Sequence, residues 1–311
     1  MTASLVGAAG GPWAFQAHPE VWVLVIGVVG SYIYAARRIG PVAVGVGEVA
    51  VSRRQWTFFV CGALILWLAS DWPLHDLAEE YLYAAHMLQH MMLSYFMPPL
   101  MLMATPEWLA RLLTGDGRAY RVVRWLSHPV VAGVAFNGTI MITHIPGVVN
   151  ESAGNPLIHY SLHVLLVTTA LMMWMAICGP IPEFRVGPGG QMIVLFCSSI
   201  VPTVPAGWLT FAEGTVYHHY TNVVRVFGLS VESDQQMAGA IMKIGGSIFL
   251  WTLVLTIYIR KMASRFYDEA KVPRPKIVGE QILRDQARAQ LTYDDVQAAF
   301  ERSQPAPEPA P

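Results

Sequence analysis

Charged residues are scarce in this chain of 311 residues. Asp, Glu, Lys and Arg make up 13% of it, and hydrophobic residues make up 54%. A soluble domain carries roughly 25% charged residues. The deficit, together with several long apolar runs, excludes an ordinary soluble domain and indicates a polytopic membrane protein.

Several common sequence signatures are also missing. The chain has no GxSxG motif and no P-loop, and nothing in it suggests nucleic-acid binding. The segment Met1–Glu20 lacks the basic region of a Sec-type signal peptide. The three cysteines, Cys61, Cys178 and Cys197, form no CxxC pair and lie within apolar runs, so we interpret them as small buried hydrophobic residues.

Seven apolar segments are predicted to cross the membrane as helices. Most are long enough for a hydrocarbon core of about 30 Å at about 1.5 Å per residue, and the first two need flanking residues. The segments are Val21–Ala36, Gln55–Ser70, Leu77–Met103, Pro129–Pro146, Pro156–Gly179, Gly190–Phe211 and Met237–Ile259. The sequence therefore predicts an all-α fold, a polytopic bundle of seven transmembrane helices.

The basic residues predict how this bundle is oriented. Of the 20 Lys and Arg residues, all except Arg225 and Lys243 fall on one side of the predicted spans. An excess of basic residues marks the cytoplasmic side. We therefore expect the N-terminus outside and the C-terminus in the cytoplasm.

The chain changes character after residue 263. Residues 264–311 are rich in charge, have a pattern consistent with a short helix around Gly279–Ser303, and end in Pro-Ala-Pro-Glu-Pro-Ala-Pro. Such a composition does not support a packed core. We predict two parts, a transmembrane domain over residues 1–263 and a partly disordered cytoplasmic tail over residues 264–311.

Nine of the ten histidines fall at or near the predicted outer side, and four of them form two pairs. His86 and His90 are four residues apart on one predicted helix, and His159 and His163 repeat the spacing on another. Residues four apart on a helix share a face. Imidazole is costly in hydrocarbon unless it is paired, hydrated or bound to an ion. The pairs therefore predict a layer of up to four imidazoles.

Four further residues extend this candidate metal site. His144 ends a helix that runs toward the same side, Asp71 lies there too, and Met87 and Met91 neighbour the first histidine pair. Asp71 and Asp234 are equally well explained as caps of helix ends, and methionine is often a packing residue. His86-Met-Leu-Gln-His90 lacks the glutamate of an HExxH metalloprotease.

The residues alone leave three interpretations of the site open. Imidazole and thioether together suit copper, above all Cu(I). One imidazole from each of two helices would suit a bis-histidine haem b. Three histidines and an aspartate would suit a zinc ion that activates water in an intramembrane hydrolase.

The order of the motifs resembles that of the CtaG-type cytochrome c oxidase assembly family. The motifs are Asp71-Trp-Pro-Leu74, Glu80-Tyr-Leu-Tyr-Ala-Ala-His86-Met-Leu-Gln-His90, Pro98-Pro99-Leu100, Thr105-Pro106, His144-Ile-Pro146, His159-Tyr-Ser-Leu-His163 and Asp234-Gln-Gln-Met-Ala-Gly239. The resemblance extends over Trp56–Arg260. It implies a multi-pass protein of the bacterial plasma membrane, without enzymatic activity, that helps to mature the copper centres of haem-copper oxidase.

The resemblance favours copper among the three metals. It implies that Cu(I) enters from the outer side, is held by the histidine layer with help from methionine, and passes to an oxidase subunit within the membrane. The implied partners are haem-copper oxidase subunits, membrane lipid and a copper donor protein on the outer side.

Overall fold

Every secondary-structure element among the described residues is helical, so the all-α prediction is confirmed for this part of the chain. The computed structural model describes residues 11–303, apart from residues 46, 222, 272–284 and 286–292. The helices are α1 (Pro19–Val44), α2 (Arg53–Ser70), α3 (Leu74–Glu80), α4 (residues 83–104), α5 (Glu107–Thr114), α6 (Arg118–Leu126), α7 (Pro129–Thr143), α8 (Pro146–Gly154), α9 (Pro156–Cys178), α10 (Pro188–Ile200), α11 (Thr203–Phe211), α12 (residues 231–271) and α13 (Tyr293–Arg302).

Five helical stretches among the described residues are long and apolar enough to cross a membrane. They are Pro19–Val44, Arg53–Glu80, Pro156–Cys178, Pro188–Phe211 and Val231–Ser264. A sixth arises if α6 and α7, which meet at an angle of 64°, are taken as one span. The predicted span Leu77–Met103 is broken into α3 and α4, and its polar residues His86, Gln89 and His90 make α4 less apolar than the others.

Local sequence signals explain where several helices begin. Ser52 and Gln55 form a capping box at the start of α2, with the Gln55 N–H donating to Ser52 Oγ over 3.3 Å. Asn155 caps α9 by accepting hydrogen bonds from the backbone N–H groups of Leu157 and Ile158, and Pro156 occupies the first helical position. These caps satisfy N–H groups that have no partner within the helix.

Helix α4 passes through Pro98 and Pro99 without ending. Proline has no N–H and clashes with the carbonyl four residues earlier. The helix absorbs this with a π-helical segment, Met92–Phe96, and the free carbonyl of Ser94 accepts a hydrogen bond of 2.9 Å from Trp174 Nε1 instead. Similar π-helical segments lie in α1 (Ala35–Ile39) and in α12 (Ile241–Gly245).

Helix α4 is the centre of the bundle. It packs against α2, α9 and α12, while α7 packs against α9 and α11 against α12. The largest hydrophobic core includes Met91 and Tyr95 of α4, Phe136 of α7, Trp174 of α9 and Leu250 of α12, all of them buried. A polar side chain on the inner faces of α4 and α9 is therefore enclosed by protein.

A cluster of charged side chains joins two connecting segments at one end of the bundle, the one that contains α5 and the one after α9. Arg111 of α5 donates to Glu183, in the turn after α9, over 2.7 Å, and also pairs with Glu107 over 2.7 Å. The hydrogen bond from the Arg111 guanidinium lowers the pKa of the exposed Glu183 carboxyl below its usual value. The connection after the third predicted span thus meets the connection after the fifth, and both carry arginine.

At the other end, segments poor in basic residues are joined to one another. His18 Nε2 lies 2.6 Å from Asp76 Oδ1, which ties the segment before α1 to α3. The His219 backbone N–H donates to Asn150 Oδ1 over 3.3 Å, which ties the loop before α12 to α8.

The chain divides into two units, Met1–Ile259 and Arg260–Pro311. In the second unit, α13 forms the described part of the helix predicted around Gly279–Ser303, and the predicted disordered proline-rich end lies outside the described residues. The prediction of buried cysteines was wrong for Cys61 and Cys197, whose side chains are exposed on the surfaces of α2 and α10, where an apolar run faces outward.

Candidate metal centre

A buried carboxylate fixes the helix turn that carries the first histidine pair. The backbone N–H groups of Tyr83 and Ala84 donate to Asp234 Oδ2 and Oδ1, each over 2.9 Å. Asp234 is fully buried in the first turn of α12, which is itself capped by Ser230. The aspartate therefore caps α4, with its charge at the positive end of the helix dipole, and sets the direction in which His86 points.

Arg225, in the loop before α12, stabilises the break between α3 and α4. Arg225 Nη2 donates to the carbonyl of Tyr81 over 3.3 Å and to that of Tyr220 over 3.0 Å. Arg225 Nη1 lies 4.0 Å from Asp234 Oδ2. Arg225, one of the two basic residues outside the predicted cytoplasmic side, thus stabilises the end of α3 where the helix is interrupted.

Four imidazoles and one carboxylate meet at the start of α4 and α9. This set, the histidine cluster, consists of Glu79, His86, His90, His159 and His163. The expected proximity of the two histidine pairs is met, since His90 Nε2 lies 3.3 Å from His163 Nε2.

The carboxylate of Glu79 lies between the two pairs. Glu79 Oε1 is 3.3 Å from His86 Nδ1 and 3.0 Å from His159 Nε2. The side chains of His86 and His159 are only 12% and 11% exposed. The cluster therefore excludes most of the surrounding solvent.

The spacing of these atoms matches that of ligands around one ion. With metal–nitrogen bonds of about 2.0–2.1 Å, two ligands of a tetrahedral ion are about 3.3 Å apart. Two triads, His86–His90–His163 and Glu79–His159–His163, each have their ligand atoms within 4.8 Å of one another. The triads share His163, so the cluster offers two overlapping sets of three donors.

Three of the atoms that face one another have no properly oriented hydrogen bond. They are Glu79 Oε1, His86 Nδ1 and His159 Nε2, all buried. Buried polar atoms in folded proteins almost always have a partner, and leaving one without costs about 1–3 kcal/mol. A cation coordinated between them would satisfy all three.

Further polar side chains lie near the cluster and line the same cavity as His163. Gln89 Nε2 donates to His75 Nδ1 over 3.0 Å, and the ring of His75 packs edge-on against that of His18, with centroids 4.9 Å apart. A mostly apolar cavity of about 390 Å³ runs beside these residues and reaches His163. The cluster thus has an opening toward α1 and α2.

The remaining candidate residues lie outside the two ligand triads. His144, Met87 and Met91 line a smaller cavity, which His90 of the histidine cluster also lines. Asp71 belongs to neither ligand triad; its Oδ2 accepts a hydrogen bond of 2.7 Å from Trp67 Nε1 at the end of α2.

Glu79 is the residue that sequence reasoning missed. In one continuous helix Glu79 and His86 would be seven residues, or about 10.5 Å, apart along the axis. The break at Tyr81 and Leu82 is what brings them together. The signal available in the sequence was an ionisable residue inside a predicted span, which usually marks a functional site.

Residues 30–264 match the family described as cytochrome c oxidase caa3 assembly factor (Caa3_CtaG). The chain belongs to this family. The match includes the whole histidine cluster, together with Asp234 and Arg225. No curated protein and no solved structure matches the chain significantly.

Membership confirms the resemblance that the motifs suggested. It identifies the chain as a membrane protein with a role in assembling cytochrome c oxidase, and therefore in contact with subunits of that enzyme. A role in assembly is consistent with a protein that is not itself a catalyst.

Proposed function

We propose that this protein contributes to oxidase assembly by binding copper in the histidine cluster and delivering it to an oxidase subunit within the membrane. The observation that carries the proposal is the position of Glu79 Oε1, 3.3 Å from His86 Nδ1 and 3.0 Å from His159 Nε2, with all three atoms buried and without oriented hydrogen bonds. Imidazole nitrogen is a preferred ligand of copper.

The arrangement of the chain in the membrane is part of this proposal. Seven spans would consist of α1, α2 with α3, α4, α7, α9, α10 with α11, and α12. Six of these satisfy the length and composition of a span, with α6 and α7 counted together. The seventh, α4, is less apolar because it carries the cluster, and its central position among α2, α9 and α12 shields those polar residues.

The contacts at the two ends support the proposed orientation. Arginine-bearing connections meet at the Arg111–Glu183 pair, which we assign to the cytoplasmic side of the bacterial plasma membrane. The histidine cluster lies at the opposite end of α9, near its first residues. Copper would then enter from outside, from a donor protein on that side.

Zinc hydrolysis is the second candidate, and the position of Glu79 favours it. A catalytic zinc site has three protein ligands and one open position for water, and a mixed histidine and carboxylate set is suitable. A bis-histidine haem is less well supported, because the haem ring would have to fit between the two imidazoles that ligate its iron. In the cluster, His90 Nε2 and His163 Nε2 are only 3.3 Å apart.

Metal binding by the purified protein tests the proposal. The full-length chain, purified anaerobically in detergent, is titrated with Cu(I) against a coloured chelator. The His86→Ala/His90→Ala variant is compared with wild type, and His128→Ala, an exposed histidine before α7, is the matched control.

Copper bound by wild type and His128→Ala, and lost in the double variant, supports the proposal. Zinc bound in preference to copper, together with hydrolysis of lipid amides or esters, would favour the hydrolase instead. A sharp Soret band in the reduced protein would favour haem.

A further inference from the structure

We propose that the chain contains a second metal site, formed by Met87 and His144 with help from Met91 and Met242, that is specific for a soft monovalent ion such as Cu(I). It deepens the proposed function and rests on it, because it gives copper a second position beyond the histidine cluster. The site is the small cavity between α4, α7 and α12.

The cavity has a volume of about 20 Å³, which is room for a single water-sized occupant. Its walls include three methionines and two histidines, Met87, His90, Met91, His144 and Met242. Its lining also includes three hydroxyl-bearing residues, Ser94, Tyr95 and Thr143. Met87 and His144 are only 2% and 4% exposed.

The hydrogen bonds of His144 determine which of its nitrogens carries the proton. Nδ1 lies 2.7 Å from the carbonyl oxygen of Ile140, and a carbonyl can only accept. Nδ1 therefore carries the hydrogen, and in the neutral imidazole Nε2 has the free lone pair. A backbone carbonyl on the second nitrogen is the usual arrangement for a histidine that ligates a metal.

The free lone pair of His144 Nε2 points toward a second hydrogen-bond acceptor, the sulfur of Met87. His144 Nε2 lies 3.4 Å from Met87 Sδ, and a thioether sulfur carries no hydrogen. Two buried acceptors thus face each other with no proton between them. A soft cation bound to both would resolve this, since thioether and imidazole are ligands that Cu(I) accepts.

The charge of the residues that line the cavity determines whether a monovalent or a divalent ion is favoured. None of the described residues that line it is acidic. Neutral ligands in a buried site do not compensate a divalent ion, whose desolvation is costly. The site therefore favours Cu(I) over Zn²⁺ or Cu²⁺, whereas the histidine cluster, with Glu79, suits ions of higher charge as well.

The helical backbone beside the cavity is irregular. Two π-helical segments flank it: Met92–Phe96 follows Met91, and Ile241–Gly245 contains Met242. Such segments within α-helices are frequent at functional sites. Gly245 packs closely against the end of the Met91 side chain, since a Cβ on this glycine would lie 2.9 Å from Met91 Cε.

His90 connects the two sites. Its Nε2 contacts His163 in the histidine cluster, and His90 also lines the small cavity that contains Met87 and His144. Copper that leaves the histidine cluster through His90 would reach Met87 and His144 without crossing lipid.

Silver binding tests the inference, since Ag(I) resembles Cu(I) and is not oxidised in air. The probe is Ag(I) added to the full-length protein with ¹³C-labelled methionine methyl groups. Met87→Leu and Met87→Leu/Met242→Leu remove sulfur at nearly constant volume, and Met141→Leu, on α7 and partly exposed, is the matched control.

We expect Ag(I) to shift the Met87 methyl resonance in wild type and in Met141→Leu. Met87→Leu should weaken binding at this site roughly tenfold or more, as the loss of a direct ligand costs at least as much as the loss of a residue that supports one. The His86→Ala/His159→Ala variant should still show the shift, because it leaves Met87 and His144 in place.

The outcomes separate this inference from the proposed function. If copper binds to the histidine cluster but Ag(I) leaves the Met87 methyl unmoved, the second site does not exist and the proposed function stands. If Ag(I) binding disappears entirely in His86→Ala/His159→Ala, there is one site and the inference is wrong. If Met87 responds while that variant keeps its full copper capacity, the second site is real and the role of the cluster is wrong.

Discussion

Asp234 Oδ1 accepts a hydrogen bond of 2.9 Å from the backbone N–H of Ala84, 150 residues away in the chain. Through this contact and the matching one to Tyr83, α12 holds the first turn of α4. His86 and His90 project from the next two turns. The position of the candidate metal ligands therefore depends on a carboxylate that ligates nothing itself.

Asp234→Asn tests this dependence. Asparagine has one side-chain oxygen, so one of the two backbone N–H groups loses its acceptor and meets an amide donor. A buried donor left unpaired costs about 1–3 kcal/mol. We expect a lower Tm in detergent and weaker copper binding than in wild type.

The matched control is Glu232→Gln, on an exposed position of the same helix, which should change neither quantity. A variant with wild-type Tm and copper affinity would contradict the positioning role of Asp234.

Glu79→Gln tests the carboxylate of the histidine cluster. Glutamine preserves size but removes the charge next to His86 and His159. We expect affinity for Zn²⁺ or Cu²⁺ at the cluster to fall roughly 10- to 100-fold, while the protein stays folded. Competition against a metal chelator measures the change.

Glu80→Gln is the control, because Glu80 Oε1 is bonded to Gln16 Nε2 over 3.0 Å instead of to a cluster histidine. Equal affinities for Glu79→Gln and Glu80→Gln would show that Glu79 is not a ligand.

The sequence was sufficient to predict the two histidine pairs, because the spacing of four residues is a local property of a helix. The proximity of the two pairs was a hypothesis, which the tertiary structure supports. Long apolar runs likewise predicted the helices. The break between α3 and α4 could not be predicted, because Arg225 and Asp234, about 145 to 150 residues further along the chain, maintain it. Glu79 joins the cluster only because of that break.

The division into two cavities was also beyond sequence reasoning. Met87, Met91 and His144 lie close to the histidine cluster, since His90 lines the same cavity. Met87 and Met91 each follow a histidine by one residue, so they point about 100° away from His86 and His90 around α4, and the packing of α4 in the bundle decides which helices each pair faces. The position of a residue along its helix follows from the sequence, but the neighbouring helices that its side chain contacts follow from the tertiary structure.

The Arg111–Glu183 pair predicts a pH dependence of stability. Arg111 lowers the pKa of Glu183, so the folded state binds a proton here less readily than the unfolded state. This contribution is present above the ordinary glutamate pKa of about 4.3 and is lost as pH falls through the lowered value. The Tm difference between wild type and Glu183→Gln should therefore shrink under acid conditions.

The effect should be small, because both side chains are exposed and water screens the pair. Glu151→Gln, an exposed acidic residue of α8, is the control. If the Tm difference between wild type and Glu183→Gln grew toward low pH, the prediction would be contradicted.

The proposed orientation predicts where fused reporters are active. A reporter attached after Ser264 should be active only in the cytoplasm, and one attached after Glu151, in α8, only outside. The reason is the concentration of basic residues on the side of the Arg111–Glu183 pair. The reverse pattern would move the histidine cluster to the cytoplasmic side and exclude copper entry from outside.

Loss of the first histidine pair should produce an oxidase that contains haem but lacks copper. His86→Ala/His90→Ala removes two nitrogens of the cluster, while alanine preserves helix α4 because it is a good helix former. Cells that carry this variant should assemble oxidase with normal haem absorption and reduced copper, and added copper should partly restore it. His128→Ala should leave the oxidase unchanged. If the double variant is inserted stably and the oxidase still acquires its full copper at limiting supply, the cluster does not handle copper, and its histidines then bind haem or serve the structure alone.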